Sequence, residues 1–190
     1  LRSGIGIGVF EQGGFVVDGG RGEKTVIPPV LARFSIPDHW RFILVFDKRG
    51  QGLHGQQEIQ AFQKLPPFPQ QEAARLCYLL LMQGLPALAE HDIVAFGAVI
   101  TELQRSVGEH FAAAQGGVFT SKEVEQAMHW LAEQGAVAIG QTSWGPTGFC
   151  AVEGIADAEN LAEQARLKFA MIENLSFVTV SARNTGAEIR

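Results

Sequence analysis

The sequence predicts an α+β fold in which helices pack on one face of a mainly antiparallel sheet. Three observations predict it: a continuous apolar run of strand length, a central half whose apolar residues follow helical spacing, and two strand-like stretches near the C-terminus joined by a nine-residue loop. The predicted elements run β, α, α, α, β-turn-β, α, β. This order is typical of a layered α+β domain.

The first part of the chain is predicted to contain short elements separated by glycine and proline. Proline restricts the residue before it to extended backbone, so the proline-containing stretches are expected to break regular structure. The expected elements are a helix at 3–11, a strand at 15–17, an extended crossover at 21–39, a strand at 41–47, a glycine-rich loop at 48–55 and a helical segment at 56–63. The run at 41–47 is typical of a strand buried on both faces.

The rest of the chain is predicted to be helical and then to return to strands. Apolar residues recur at helical spacing in four places, and Thr120 with Glu123 forms a capping box at the start of the third helix. The apolar stripes are Ala73–Leu80, Ile93–Val107, Val124–Leu131 and Leu161–Ile172, the last following Asp157. The strands are expected at 136–139, 149–152 and 175–181.

Composition excludes several classes of function. With 190 residues, 46% of them hydrophobic, the chain is long enough to bury a core. A net charge of -5 argues against a nucleic-acid partner, and no apolar run approaches the length that spans a bilayer. Cys77 and Cys150 have no metal-type spacing, which suits a reducing compartment. We therefore expect a cytoplasmic protein with neither a nucleic-acid nor a membrane partner.

The first candidate site is a glycine-rich stretch, RSGIGIGVFEQGGFVVDGG, which has seven glycines within residues 2–20. Backbone N–H groups at the start of a helix attract anions, so this stretch is either a phosphate loop or a close-packed turn. It lacks the lysine of a Walker phosphate loop. It also differs from a dinucleotide-binding loop, because no strand precedes it. The phosphate-binding candidates are Arg2, Ser3, Gly4, Gly6 and Gly8. Asp18 is either a carboxylate that holds Mg2+ or steadies positive charge, or an ordinary turn residue.

The second candidate site is the loop GQTSWGPTG at residues 140–148. Hairpins usually need two to five residues, so nine residues with a tryptophan are unusual. Trp144 either forms an aromatic wall beside a ligand or folds back onto the core. The substrate-binding candidates are Gly140, Gln141, Ser143, Trp144, Gly145, Thr147 and Gly148. We expect the two glycine-rich loops to face one site.

Together these motifs resemble the GHMP small-molecule kinase superfamily, whose members have a glycine-rich loop feeding a helix and a later strand–glycine loop–strand unit. The wording of both loops, with the segments Pro37–Val45 and Gly52–Glu58, resembles the β-ribofuranosylaminobenzene 5′-phosphate synthase family in particular. The resemblance implies a two-lobed α/β sandwich. Residues 1–38 would be the remainder of an incomplete N-terminal lobe, and residues 39–190 the C-terminal domain that contains the loop at 140–148.

The resemblance also implies a function. Members of this family join phosphoribosyl pyrophosphate to 4-aminobenzoate or 4-hydroxybenzoate with loss of CO2 and pyrophosphate, in tetrahydromethanopterin biosynthesis. It implies a homodimer, Mg2+ as cofactor, Ser3 and Asp18 as catalytic residues, and Trp144 as a wall for the aromatic acceptor. The chain is expected to be either a fragment or a truncated relative, because the family's strands before the first loop are absent.

Two other functions stay open from the residues alone. An ATP-dependent kinase of the same superfamily is disfavoured because Ile7 and Gly8 stand where such kinases carry two serines. A non-catalytic binding module is the other alternative. Glu58 and His54, near the loop at 52–55, are secondary candidates. Four histidines are expected to lie on the surface or to pack against other residues: His39, His91, His110 and His129. Arg183, Asn184 and Thr185 are expected to form a polar tail.

Overall fold

A computed structural model describes residues 3–20, 22, 24–50, 52 and 55–188 of the chain. Its helices are α1 (Gly4–Gln12), α2 (Gln56–Lys64), α3 (Gln70–Leu79), α4 (Leu85–Ala89), α5 (Ile93–Gln115), α6 (Lys122–Glu133) and α7 (Ile155–Lys168). A π-helical segment, Leu80–Gly84, connects α3 to α4. Its strands are β1 (Phe15–Asp18), β2 (Val30–Phe34), β3 (Trp40–Asp47), β4 (Val137–Gln141), β5 (Gly148–Glu153) and β6 (Leu175–Ser181). The predicted α+β class is confirmed.

The chain divides into two compact units. One contains the described residues up to Asp38 and those from Ser181 onward, and the other is His39–Val180. In the first unit β1 pairs antiparallel with β2, Phe15 lying opposite Phe34. The sequence missed β2, which lies inside the expected crossover at 21–39, because the prolines before it dominated the pattern.

The C-terminal segment packs on the first unit instead of forming a polar tail. The backbone N–H of Gly14 donates to the carbonyl of Arg183 at 2.8 Å. The side chain of Asn184 accepts from the backbone N–H of Ile36 and donates to its carbonyl, each at 2.8 Å. Residues 181–190, which the predicted boundary assigned to the second domain, therefore group with the first unit as far as they are described.

The second unit is built on a four-stranded sheet in the order β4-β5-β3-β6, in which β5 pairs antiparallel with both β3 and β4. Helices α6 and α7 pack on this sheet. Its fully buried side chains include Ile43, Val45, Val124, Met128, Leu131, Cys150 and Ala162. We expected β3 to be buried on both faces. Only one face is fully buried, since the residues that alternate with Ile43 and Val45 are half-buried.

Helix α5 lies along the edge strand β4. The backbone N–H of Ile139 donates to Thr101 Oγ1 at 2.9 Å, and that of Gln141 donates to Gln104 Oε1 at 3.1 Å. An edge strand otherwise presents unpaired backbone groups. Two side chains of α5 therefore take the place of a further strand and fix the position of the helix against the sheet.

Two predicted helix starts are wrong by a few residues. The N-cap of α6 is Ser121, whose hydroxyl accepts from the Val124 N–H at 3.2 Å, and not Thr120. The hydroxyl of Thr120 donates instead to the carbonyl of Trp144 at 2.8 Å. Helix α7 begins at Ile155 after Gly154 and not after Asp157. Several polar residues near each start have capping chemistry, and tertiary contacts select one of them.

The buried carboxylate of Asp47 joins the end of β3 to two other parts of the second unit. It accepts from the Ser121 hydroxyl at 2.7 Å, the Asn174 amide at 2.7 Å and the Arg49 backbone N–H at 2.9 Å. Burial by itself would raise the pKa of Asp47, but these hydrogen bonds together hold that pKa below its ordinary value.

We expect Asp47 to make the protein less stable in acid. Since its pKa is lowered in the folded state, its contribution is present above 3.8, the ordinary value, and is lost as pH falls below that value. The measurement is the urea midpoint as a function of pH for the wild type and Asp47→Asn. The variant should be less stable at neutral pH, and the difference between the two should shrink in acid. A difference that does not depend on pH would contradict this.

Candidate functional site

The first glycine-rich stretch forms the beginning of α1. Ser3 is the N-cap of this helix, and its hydroxyl oxygen accepts from the Gly6 N–H at 3.1 Å. Gly4, Gly6 and Gly8 all lie within the helix and not in a loop before it. The predicted helix is confirmed, and the glycines expected in a phosphate loop form its first two turns. Arg2, the other phosphate-binding candidate, lies outside the described residues.

Asp18 lies at the N-terminus of the same helix. Its Oδ2 accepts from the Ile5 N–H and its Oδ1 from the Gly20 N–H, each at 3.0 Å. A carboxylate at a helix N-terminus is favoured by the helix dipole and satisfies a backbone N–H that has no partner within the helix. The structure therefore brings Ser3 and Asp18 together. It also shows that the protein's own carboxylate already binds where an anion is expected.

Two of the three α1 glycines make close packing possible. A Cβ at Gly4 would lie 2.6 Å from both Asp18 Oδ2 and Pro28 Cβ. A Cβ at Gly8 would lie 2.9 Å from Val30 Cγ2. Gly6 is different, because only Ser3 lies near its missing Cβ, at 3.5 Å. Of these three positions, Gly6 is the one where a ligand could approach the helix backbone without displacing protein atoms.

The second glycine-rich loop closes on itself between β4 and β5. The Thr142 N–H donates to the Thr147 carbonyl at 2.9 Å, and the Gly145 N–H donates to the Thr142 carbonyl at 2.7 Å. The Gly145–Pro146 bond is cis. Ser143 is exposed at the tip with a φ of 46°, so its hydroxyl is available to a ligand from solvent.

The buried side chain of Gln141 anchors this loop to neighbouring segments. It is 8% exposed, and its Oε1 accepts from the Thr120 N–H at 3.0 Å. Its Nε2 donates to Gln115 Oε1 at 3.2 Å. These bonds connect the end of β4 to the end of α5 and to the segment before α6. Gln141 was predicted to bind substrate, and the structure shows that its amide is already engaged by the protein.

Trp144 folds back into the second unit and does not project from the loop. Its side chain is 7% exposed and contacts Phe62 and Phe111 edge-to-face, with ring centroids 5.5 and 4.8 Å away. Its indole N–H donates to Glu58 Oε1 at 3.0 Å. Of the two open interpretations the structure shows the packed one, and a wall for an aromatic ligand stays a prediction. Glu58, a secondary candidate in the sequence, anchors α2 to the loop.

The remaining loop glycines also allow close contact between protein groups. A Cβ at Gly148 would lie 2.6 Å from Met128 Sδ and from Val124 Cγ1. A Cβ at Gly140 would lie 2.4 Å from Gln104 Cγ. Gly145 has a φ of 66°, in the left-handed region that favours glycine.

A cavity of 410 Å³ lies beside β4, and the sequence did not indicate it. It is bounded by α5, α6, residues 118–119 and the end of β4, all within the second unit. Its lining residues are Thr101, Gln104, Arg105, Val118, Phe119, Glu125, His129, Ala132, Ile139, Gly140 and Gln141. Two residues of the predicted substrate-binding set, Gly140 and Gln141, therefore line a real cavity. The first loop belongs to the other unit, so a site shared by both loops stays a prediction.

His39 and His110 contact other side chains. Across the described parts of the chain, no group of three or more His, Cys, Asp or Glu could hold a metal ion. His39 lies 3.3 Å from Glu153, and His110 packs edge-to-face on Phe68 and Phe111. His54 falls outside the described residues. Within the described helices, none is long and apolar enough to cross a membrane.

Sequence comparison confirms the resemblance to the synthase family and the GHMP superfamily. Residues 85–170 match the family described as GHMP kinases C terminal. The chain is 37% identical over 114 residues to the beta-ribofuranosylphenol 5'-phosphate synthase of Methanothermobacter thermautotrophicus. The aligned region covers 54% of this chain and 35% of the relative. The Archaeoglobus fulgidus synthase is also 37% identical over 114 residues, covering 54% of this chain and 36% of the relative. The match therefore spans about a third of each synthase's own length.

Comparison with solved structures finds proteins that share the fold of this chain. The mevalonate diphosphate decarboxylase of Staphylococcus aureus superposes with a TM-score of 0.63 over 94% of this chain and 54% of that chain, at 17% identity. A homoserine kinase from Cytophaga hutchinsonii superposes with a TM-score of 0.51 over 92% of this chain and 49% of that chain, at 13% identity. At such low identity these likenesses show the GHMP-type fold and no particular chemistry.

Proposed function

Because this chain is related in sequence to the β-ribofuranosylphenol 5′-phosphate synthases, we propose that it forms part of an enzyme that transfers a pentose phosphate to an aromatic ring. The observation that supports this within the chain is the meeting of Ser3 and Asp18 at the N-terminus of α1. Helix N-termini are common binding sites for phosphate groups. The relatives' name supplies the product class, a ribosyl phosphate joined to a phenol.

The proposed substrates are phosphoribosyl pyrophosphate and 4-hydroxybenzoate or 4-aminobenzoate. The bond between the anomeric carbon and pyrophosphate breaks, and pyrophosphate leaves with the electron pair. The ring carbon that bears the carboxylate then bonds to the anomeric carbon. The electron pair of the bond to the carboxylate returns to the ring as CO2 leaves, which restores aromaticity without a proton transfer.

In this proposal the α1 N-terminus holds the phosphate end of the donor. Gly6 offers an open approach to the helix backbone, and the Ser3 hydroxyl can donate to a phosphate oxygen while its oxygen accepts from Gly6. The sugar becomes positively charged as pyrophosphate leaves. The Asp18 carboxylate is proposed to stabilise that charge, the kind of preorganised electrostatic effect that lowers a barrier most.

Mg2+ is part of the same proposal, and the Asp18 carboxylate at the N-terminus of α1 fits it as an oxygen ligand. A carboxylate and a pyrophosphate at one helix end repel each other unless a cation neutralises them. Mg2+ commonly takes one or two carboxylates together with phosphate oxygens and water, so Asp18 alone is a sufficient protein ligand. When bound, the ion would supply charge neutralisation for the leaving pyrophosphate. We extend the proposal, on the family resemblance, to a cytoplasmic homodimer in tetrahydromethanopterin biosynthesis.

The test is release of labelled CO2 from carboxyl-labelled 4-hydroxybenzoate or 4-aminobenzoate by the protein, with and without phosphoribosyl pyrophosphate. Release should depend on the sugar phosphate and should fall about 100-fold or more in Asp18→Asn. Ser3→Ala should reduce it less, because backbone N–H groups remain. Asp157→Asn, an exposed carboxylate in the first turn of α7, is the matched control and should keep full activity.

Two results would contradict this proposal. One is that the folded, full-length wild-type protein that contains this chain releases no CO2 in the presence of both substrates. The other is that Asp18→Asn is as active as the wild type. Circular dichroism of each variant, together with its melting temperature, separates loss of chemistry from loss of fold, because Asp18 also caps α1.

A further inference from the structure

The cavity beside β4 has the size and walls of a site for one small ring. At 410 Å³ it falls within the range of small-molecule sites, about 300–1,000 Å³. Val118, Phe119 and Ile139 give it largely apolar walls. Ala132 on α6 adds a small side chain at an exposed position. Such walls favour a flat hydrocarbon surface over a sugar or a phosphate.

One side of the cavity carries two hydrogen-bond donors in fixed positions. Thr101 Oγ1 and Gln104 Oε1 both accept backbone N–H groups of β4, which orients these side chains. The Thr101 hydroxyl keeps its proton and the Gln104 amide keeps its two N–H groups. Neither group donates a hydrogen bond elsewhere in the described part of the chain. They can therefore donate to an acceptor oxygen on a ligand.

The α6 side of the cavity carries an acceptor. Glu125 and His129 are one helical turn apart on α6, and neither is bonded to another described side chain. Arg105, also in the lining, is held by Glu102, with contacts of 2.9 and 2.8 Å, and by Glu109. Glu125 is therefore the lining carboxylate with no cation paired to it in the described structure, and it can accept from a hydroxyl or an amine.

We propose that this cavity binds the aromatic acceptor, a benzoate with a hydroxyl or amino group in the para position. The carboxylate of the ligand accepts from Thr101 and Gln104, the ring lies against Val118, Phe119 and Ile139, and the para group donates to Glu125. This inference rests on the proposed function, because it is the acceptor of that reaction that it places. It moves the acceptor away from Trp144, whose ring is covered by Phe62 and Phe111.

The test is direct binding of 4-hydroxybenzoate to the whole chain. Binding is measured by titration calorimetry and by the broadening of the ligand's ring-proton NMR signals. Ala132→Phe places a ring in the cavity from an exposed position and should weaken binding about tenfold or more. Ala113→Phe, an exposed alanine on α5 that does not line the cavity, is the matched control and should bind as the wild type does.

A second measurement probes the para group. The wild type should bind 4-hydroxybenzoate about tenfold more tightly than benzoate, because a hydrogen bond to a charged group is gained. In Glu125→Ala this preference should disappear while benzoate binding is unchanged. A variant that only disturbed the fold would weaken both ligands alike, so the ratio isolates the contact.

The outcomes separate this inference from the proposed function. Binding that Ala132→Phe weakens, without any release of CO2, would leave the cavity site standing and overturn the reaction. Release of CO2 with binding that neither Ala132→Phe nor Glu125→Ala affects would leave the reaction standing and overturn the cavity as the acceptor site. No detectable binding of 4-hydroxybenzoate to the folded wild type would also overturn it.

Discussion

Replacing Trp144 by alanine is expected to lower the free energy of unfolding by about 4 kcal/mol, within the range for large aromatic residues in a core. The side chain is 7% exposed and lies between Phe62 and Phe111, so truncation leaves a cavity that these rings can fill only in part. It also leaves Glu58 without its indole donor. The measurement is the urea midpoint of the wild type and the variant.

Trp144→Phe separates packing from hydrogen bonding at the same position. It keeps an aromatic ring between Phe62 and Phe111 but removes the donor to Glu58, so we expect a loss of about 1–2 kcal/mol. In Glu58→Gln, whose amide oxygen can still accept from the indole, the loss should be smaller still. If Trp144→Ala unfolded at the wild-type midpoint, the side chain would not be part of the packed unit.

Replacing Gly97 by leucine is expected to lower the free energy of unfolding by about 3 kcal/mol, although leucine has a better helix propensity than glycine. A Cβ at Gly97 would lie 2.5 Å from Val137 Cβ and 2.9 Å from the Ala138 nitrogen. The second of these atoms is backbone and cannot rotate away. Helix α5 would therefore have to move off β4.

Ala98→Leu is the control for this substitution, because it lies on the exposed side of the same helix at the next residue. We expect it to change stability by less than about 0.5 kcal/mol. Gly97→Leu should also weaken the hydrogen bonds from β4 to Thr101 and Gln104, seen as faster amide exchange at Ile139 and Gln141. Equal stability of Gly97→Leu and Ala98→Leu would contradict the close packing of α5 on β4.

Two glycines of α1 allow close packing within the protein itself, whereas the simplest interpretation of a glycine-rich stretch is a loop that binds phosphate. Gly4 and Gly8 are needed where Asp18, Pro28 and Val30 approach the helix. The anion at this helix end is the carboxylate of Asp18. In the proposed function, the substrate phosphate would either share the helix end with Asp18 through a cation or displace it. The dependence of activity on Mg2+ distinguishes the two.

Local patterns predicted the types of most elements because hydrophobic periodicity is a property of neighbouring residues. Helix α5 lies where the spacing of apolar residues placed it, and β3 lies where a continuous apolar run placed it. The elements α1, α2, β1 and β6 lie where other local features of the sequence predicted them. The predicted starts of α6 and α7 were wrong, and β2 and α4 were not predicted. There several capping residues or prolines compete, and contacts far along the chain decide which of them acts.

The sequence by itself therefore determined the α+β class, the approximate positions of the two glycine-rich segments and the family resemblance, since each depends on the order of residues along the chain. Only the tertiary structure decided how those segments are used. Asp18 reaches α1 across 13 residues, and Glu58 reaches Trp144 across 86. Two side chains of α5 bind the edge of β4, and a cavity forms beside them. Hydrogen bonds between distant polar groups leave no periodic signal in the sequence, so folding must bring the partners together before the site exists.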